Sequence, residues 1–113
     1  MFGFLAPNVP QISATDVKQA LDRNQDVLIL DVRTPEEFAK NRIKGAINLP
    51  VDQVENKIQS VIPDKNKKIF AYCLSASRSI HAVNAMEKLG YTDVYNLTSG
   101  LLAWRAKQYP LEQ

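Results

Sequence analysis

Chemistry in this chain is concentrated where its only cysteine, Cys73, stands five positions before Arg78, in the run Cys-Leu-Ser-Ala-Ser-Arg. The four residues between them, Leu74, Ser75, Ala76 and Ser77, carry no charge. A thiolate is the nucleophilic form of cysteine, so the spacing raises the question of what would ionise the thiol. The flanking pattern supplies an answer. Ile69 to Tyr72 is a short apolar run of strand formers. Ser79 to Leu89 places apolar residues at Ile80, Val83, Met86 and Leu89, a helical stripe, and Gly90 follows as a stop. The order is strand, tight loop, helix. A helix start carries unpaired N–H groups and a positive partial charge. A loop wrapped over that end aims further N–H donors inward and makes an anion cradle. Cys73 facing such a cradle is expected to lose its proton more easily, with alkylation following a midpoint below the ~8.5 of a free thiol. Arg78 adds a permanent positive charge. Cys73 is therefore the candidate nucleophile, and Leu74, Ser75, Ala76, Ser77 and Arg78 are the candidate substrate-binding loop. The competing reading is a buried cysteine acting as a small hydrophobe.

The elements that must position this loop fit one domain. The chain has 113 residues, 45% of them apolar and 23% charged, with a net charge of +2. That length suits a single domain over residues 1–113, its core running from about Ile12 to Tyr109. Met1 to Pro10 is expected as a loosely held arm. A charge this mild does not call for nucleic acid, and Lys65, Lys67 and Lys68 read as a solvated turn. One cysteine excludes an intrachain disulfide, a paired-thiol redox motif and a cysteine-rich zinc site. No metal or other cofactor is implied. A free thiol fits a reducing compartment, so the expected location is cytoplasmic. The N-terminal stretch lacks a basic region and a long apolar core, and no apolar run approaches a membrane span, so no membrane contact is expected.

Strands and helices alternate along the chain. Ser13 can cap a first helix with Asp16 in its first turn; Val17, Ala20 and Leu21 form its buried side, and Asn24 and Gln25 end it. Val27 to Val32 is a near-continuous apolar run, the pattern of a strand buried on both faces. Thr34-Pro35-Glu36-Glu37 is a helix start with Thr34 as cap, Pro35 at the first position and Glu37 closing a capping box. After Gly45 come a brief strand at Ala46 to Leu49 and a helix from Asp52 to Val61. The central strand and its helix follow. Val94 to Leu97 is another strand, Ser99-Gly100 a turn, and Leu101 to Lys107 a last helix bearing Trp104. Such alternation predicts an α/β domain in three layers, α/β/α, with a mostly parallel sheet of roughly five strands. Ligands in these sheets sit at the carboxyl ends of strands, where Cys73 lies.

These residues resemble a rhodanese domain. Asp31-Val32-Arg33, Pro35-Glu36-Glu37-Phe38, Ile43 and Gly45 to Pro50 are similar to its first half. Cys73 with Arg78-Ser79, Leu89-Gly90-Tyr91, Val94, Leu97, Gly100 and Trp104 are similar to its second. The resemblance runs from about Ile12 to Tyr109. It implies a single-domain sulfurtransferase of the thiosulfate sulfurtransferase class. Cys73 would take a sulfane sulfur from thiosulfate or a persulfide, hold it as a persulfide, and pass it to cyanide, a thiol or an acceptor protein. The expected partners are thus a small sulfur-containing anion or persulfide donor and a thiol or protein acceptor, without nucleic acid or membrane. Asp31 and Arg33 occupy the family's Asp-Val-Arg positions, and Arg33 is expected to pair with Glu37 in an ordering role.

Several details discriminate within that resemblance. Related phosphatases and arsenate reductases carry one more loop residue, because a phosphoryl group needs a wider ring of donors than a sulfur atom. The short loop favours sulfur. The absence of charge at Leu74 to Ser77 favours a non-turnover carrier or protein-binding module over an enzyme tuned to thiosulfate. Many family members have glycine where Ala76 stands; a positive φ there would cost about 1 kcal/mol. Asn41-Arg42 replaces a common Gly-His pair, and Thr98-Ser99-Gly100 a common double glycine. His81, the only histidine, reads as a solvent-facing or helix-packing residue, and Tyr72, Tyr91 and Trp104 as packing residues.

Overall fold

The computed structural model describes residues 8–113. Five strands, β1 (Gln11–Ile12), β2 (Leu28–Asp31), β3 (Ile47–Asn48), β4 (Ile69–Tyr72) and β5 (Val94–Leu97), form one sheet in the order β1-β5-β4-β2-β3. Every pairing is parallel. β4 is central, and all four of its residues are buried. It runs beside β2 with Leu28 opposite Ile69 and Asp31 opposite Tyr72. A central parallel strand is covered on both faces, and its uninterrupted apolar sequence follows from that position.

Five helices cover the sheet: α1 (Ala14–Asp22), α2 (Pro35–Lys40), α3 (Val51–Val61), α4 (Ser77–Lys88) and α5 (Gly100–Ala106). Two apolar cores separate the layers. One packs Val54 and Ile58 of α3 and Val83 and Met86 of α4 on one face of the sheet, and Cys73 belongs to it. The other packs Val17 of α1 and Leu101 and Trp104 of α5 on the opposite face, together with Phe70 and Tyr72. Alternation along β4 therefore sends Tyr72 to one layer and Cys73 to the other. α2 buries no residue and sits at the rim. No helix among the described residues is long and apolar enough to cross a membrane.

The expected local signals are present as geometry. Ser13 Oγ accepts from Asp16 N at 3.1 Å. Thr34 Oγ1 accepts from Glu37 N at 3.2 Å, while Glu37 Oε1 accepts from Thr34 N at 2.9 Å, which closes the capping box. The two ends of the described chain differ from expectation. β1 is a strand of two residues, too short to show alternation, and it exists through its pairing with β5. That pairing also holds the last part of the expected loose arm: Val9 is buried, and Pro10 O accepts from Asn96 N. Met1 to Pro7 lies outside the described residues. At the other end, order extends past Tyr109, where Trp104 Nε1 donates to Pro110 O and Glu112 pairs with Arg42.

Ser99 takes φ +58°, the left-handed region. A side chain there costs roughly 1–2 kcal/mol, and the added entropy of a glycine in the unfolded chain returns roughly half of it. Ser99→Gly is therefore expected to stabilise the fold by about 0.5–1 kcal/mol, read as a rise of a few degrees in the thermal midpoint. An unchanged or lowered midpoint would show that other contacts of Ser99 offset the strain.

Candidate active site

The site is built around the carboxyl end of β4. The loop between β4 and α4 is shorter than expected, because α4 begins at Ser77 rather than Ser79, with its first turn closed by Ile80 N donating to Ala76 O. Arg78 thus lies inside the first turn. The N-cap position is Ala76, which has no side-chain oxygen, and no side-chain cap is made. Ser, Thr, Asp or Asn there would satisfy a first-turn N–H; alanine leaves those groups to an incoming anion. The concern over Ala76 dissolves. Its φ is −161°, extended backbone open to any residue.

The loop is held from below by α5. Leu101 N donates to Cys73 O at 3.0 Å, and Leu102 N donates to Leu74 O at 3.1 Å. In a trans peptide the N–H points opposite to the C=O. Drawing those two carbonyls onto α5 turns the N–H groups of Leu74 and Ser75 away from it. Gly100 permits the approach. A Cβ on it would meet Cys73 O at 2.5 Å, Ser75 O at 2.6 Å and Leu74 O at 2.8 Å. Among the described residues, no protein acceptor takes the backbone N–H of Leu74, Ser75, Ala76, Ser77 or Arg78. Five consecutive N–H donors are thus left open, the last of them in the first turn of a helix of twelve residues.

Cys73 sits at the foot of that loop and is 1% exposed. Its Sγ accepts from Ser79 N at 3.4 Å and lies 3.3 Å from Ser79 Oγ. The expectation of a ring of amides on the sulfur itself is therefore corrected: among the described residues the amide of Ser79 reaches Sγ, and those of Leu74 to Arg78 make no hydrogen bond to it. Ser79 enters the sequence reading as a helix residue and as part of the Arg78-Ser79 resemblance, not as a contact of the sulfur, although its position six after Cys73 is the signal. Leu74, Ser75 and Ser77 are exposed at the mouth, and Leu102 of α5 is exposed beside Leu74.

The charges around the loop pair differently from expectation. Arg33 does not pair with Glu37. Its guanidinium binds Asp31, with Nη2 2.7 Å from Oδ2, and both residues are buried. Side chains two apart on an extended segment share a face, which puts Asp31 within reach. Arg33 Nη2 also donates to Asn41 O at 2.6 Å, so it ties the end of β2 to the end of α2. Glu37 instead takes Arg78, with Oε1 2.6 Å from Nη1 and Oε2 3.1 Å from Nη2. Two parallel contacts of this kind fix the guanidinium plane. Tyr72 packs in the core; burial, then the charge of Asp31, pushes its hydroxyl well above the usual range. His81 is exposed, the solvent-facing one of its two expected placements. Two clefts, one lined by Phe70 and Tyr95 and the other by Ile43 and Trp104, do not include the Cys73 loop.

A family model described as the rhodanese-like domain matches residues 13–107. A sulfurtransferase of Allochromatium vinosum is 35% identical over 103 residues, which cover 91% of this chain and 94% of that protein. YrkF of Bacillus subtilis, described by its name as a sulfur carrier protein, is 34% identical over 90% of this chain, and the match spans 54% of its own length. Among solved structures, the rhodanese-like domain of the Anabaena protein Alr3790 superposes with a TM-score of 0.84 at 30% identity, covering 91% of this chain and 78% of that one. A thiosulfate sulfurtransferase of Pseudomonas aeruginosa gives 0.85 at 25% identity, covering 93% of this chain and 20% of the larger one. The chain belongs to the rhodanese-like domain family. In general terms its chemistry is sulfur transfer.

The Glu37–Arg78 pair has a pH signature. Arg78, then the N–H of Thr34, hold the Glu37 carboxyl at about 2 against the opposing effect of burial. A carboxyl depressed on folding stabilises above its ordinary value of 4.5, and that contribution is lost as pH falls towards about 2. Glu37→Gln keeps an acceptor for Thr34 but loses the charge. The fall in urea midpoint between about pH 6 and about pH 3 is expected to be smaller in Glu37→Gln than in wild type. Equal falls would mean that the pair adds nothing to acid stability.

Proposed function

We propose that this protein is a sulfurtransferase that works through a persulfide on Cys73. The Cys73 thiolate attacks the terminal sulfur of a sulfane donor, either thiosulfate or a persulfide. A sulfur–sulfur bond forms on Cys73, the donor's own bond breaks, and its electron pair leaves on sulfite or on a thiolate. In the second step a thiol or cyanide attacks the outer sulfur, and the electron pair returns to Cys73. No external oxidant or reductant is required.

The observation that carries this reading is the cradle of five consecutive N–H donors beginning directly after Cys73. One amide touches Sγ itself. The remaining donors suit an atom placed beyond Sγ, which is where the outer sulfur of a persulfide would stand. An anionic outer sulfur held by several N–H groups is stabilised as an oxyanion is in acyl transfer. Arg78 completes the positive surroundings, but Glu37 already engages its guanidinium.

A specific feature favours a protein or low-molecular-weight persulfide over thiosulfate as donor. The mouth of the loop is formed by exposed Leu74 and Leu102, both uncharged. A doubly charged anion meets no unpaired cation there, because Arg78 is shared. The second reading, a carrier loaded by a partner protein with little turnover of small donors, rests on this same mouth.

Intact-mass measurement after exposure to a donor tests the proposal. One added sulfur atom per chain is expected, absent in Cys73→Ser and removed by cyanide. Loading by a thiol persulfide is expected to outpace loading by thiosulfate at equal concentration. No adduct from either donor would overturn the sulfurtransferase reading.

A further inference from the structure

The hydroxyl of Ser79 has one proton and three acceptors. Asn96 Oδ1 lies 2.5 Å away, Ala76 O 3.1 Å and Cys73 Sγ 3.3 Å. Which acceptor receives the proton decides what the sulfur sees. Donated to sulfur, the hydroxyl steadies a thiolate. Donated elsewhere, it turns a lone pair to sulfur and can only accept from S–H.

Asn96 settles the contest. It lies on β5, is completely buried, and turns its amide nitrogen to the far side. Its Nδ2 donates to Gln11 Oε1 at 2.9 Å, and Thr98 Oγ1 donates to the same oxygen at 2.9 Å. With its nitrogen committed to β1, Asn96 presents its oxygen to Ser79. An oxygen of a carboxamide accepts and never donates. Ser79 therefore gives its proton to Asn96, the nearest of the three.

We infer that Asn96 is a positioning residue for the reaction: through Ser79 it withholds from Cys73 Sγ a hydrogen bond that would favour the thiolate. The inference rests on the sulfur-transfer reading for its purpose, since it concerns the atom that would carry the persulfide. Its physical content is independent of any donor.

The other groups around the sulfur do not supply the same control. Arg78 of α4 is paired with Glu37 of α2, and Asp31 at the end of β2 is paired with Arg33. Tyr72 belongs to the opposite core, and His81 of α4 is exposed. α3 brings Val51 and Val54 to the core that holds Cys73, and α5 brings Gly100, Leu101 and Leu102 against the loop. Neither brings a titratable side chain to these contacts. Arg78 favours the thiolate, and the Asn96–Ser79 pair opposes it.

The test is the rate of iodoacetamide alkylation of the full chain as a function of pH. Asn96→Leu removes the competing oxygen at similar volume. The hydroxyl must then choose between Ala76 O and a thiolate, and the charged acceptor is the stronger. Alkylation below the wild-type midpoint is expected to accelerate roughly fivefold, the size of one net hydrogen bond, with the whole profile displaced to lower pH. In a Ser79→Ala background the same substitution is expected to change nothing. An unmoved or upward-moved profile in Asn96→Leu, or an acceleration that persists without Ser79, overturns the inference. Should Asn96→Leu fail to fold by circular dichroism, Gln11→Leu decides in its place. It acts from the exposed edge, frees the Asn96 amide to turn its nitrogen to Ser79, and is expected to displace the profile in the same direction; no displacement overturns the inference. Alkylation needs no sulfur donor. A failure here leaves sulfur transfer standing, and a failure to load sulfur leaves this result standing.

Discussion

The structure depends on one close approach, that of α5 to the loop after β4. Two carbonyls of the loop, on Cys73 and Leu74, are taken by the first amides of α5. Planarity of the peptide bond then orients the next two N–H groups away from α5. Only glycine at position 100 allows the backbones to come so near, since three carbonyl oxygens crowd the place of its Cβ. Ser99, strained at positive φ, delivers the chain into that contact. A helix start would ordinarily seek a side-chain cap. Here the N-terminus of α5 is capped by the loop, and that of α4 is left open by Ala76. The two ends divide the work: one fixes the cradle, the other belongs to it.

A second line of constraint comes from the opposite side through charge. Asp31 and Arg33 form a buried pair at the end of β2, and Arg33 extends to the carbonyl that ends α2. α2 presents Glu37, whose carboxylate is fixed at once by Thr34 and Arg78. Burying such pairs adds little net stability, because desolvation offsets attraction. Their effect is geometric. They set the direction of Arg78 and moderate its charge, so the loop offers aligned dipoles more than a free cation.

Much of this was legible in the sequence where the cause is local. Thr34 to Glu37 reads as a capping box because both hydrogen bonds lie within four residues. The apolar run at Ile69 to Tyr72 reads as a central strand because both of its faces must be apolar. The strand–loop–helix around Cys73 reads for the same reason, and the family resemblance follows from several such motifs in order. What was hidden is non-local. Glu37 and Arg78 are 41 positions apart, and nothing in either segment names the other as partner. β1 is too short for any period. Asn96 was a polar residue inside an apolar strand, a visible irregularity, but its role requires knowing that Ser79 and Gln11 flank it in space. The helix start at Ser77 was misplaced because Ala76 is not a capping residue.

The central claim is that the cradle of amides serves an atom attached to Cys73 and lying beyond it. The crystal structure of the protein loaded with one sulfur tests this most directly. The account predicts the outer sulfur within hydrogen-bonding distance of several backbone N–H groups from Leu74 to Arg78, with the contacts of α5 to the loop unchanged. An outer sulfur turned into the apolar core, or out to solvent with those amides unengaged, would contradict it.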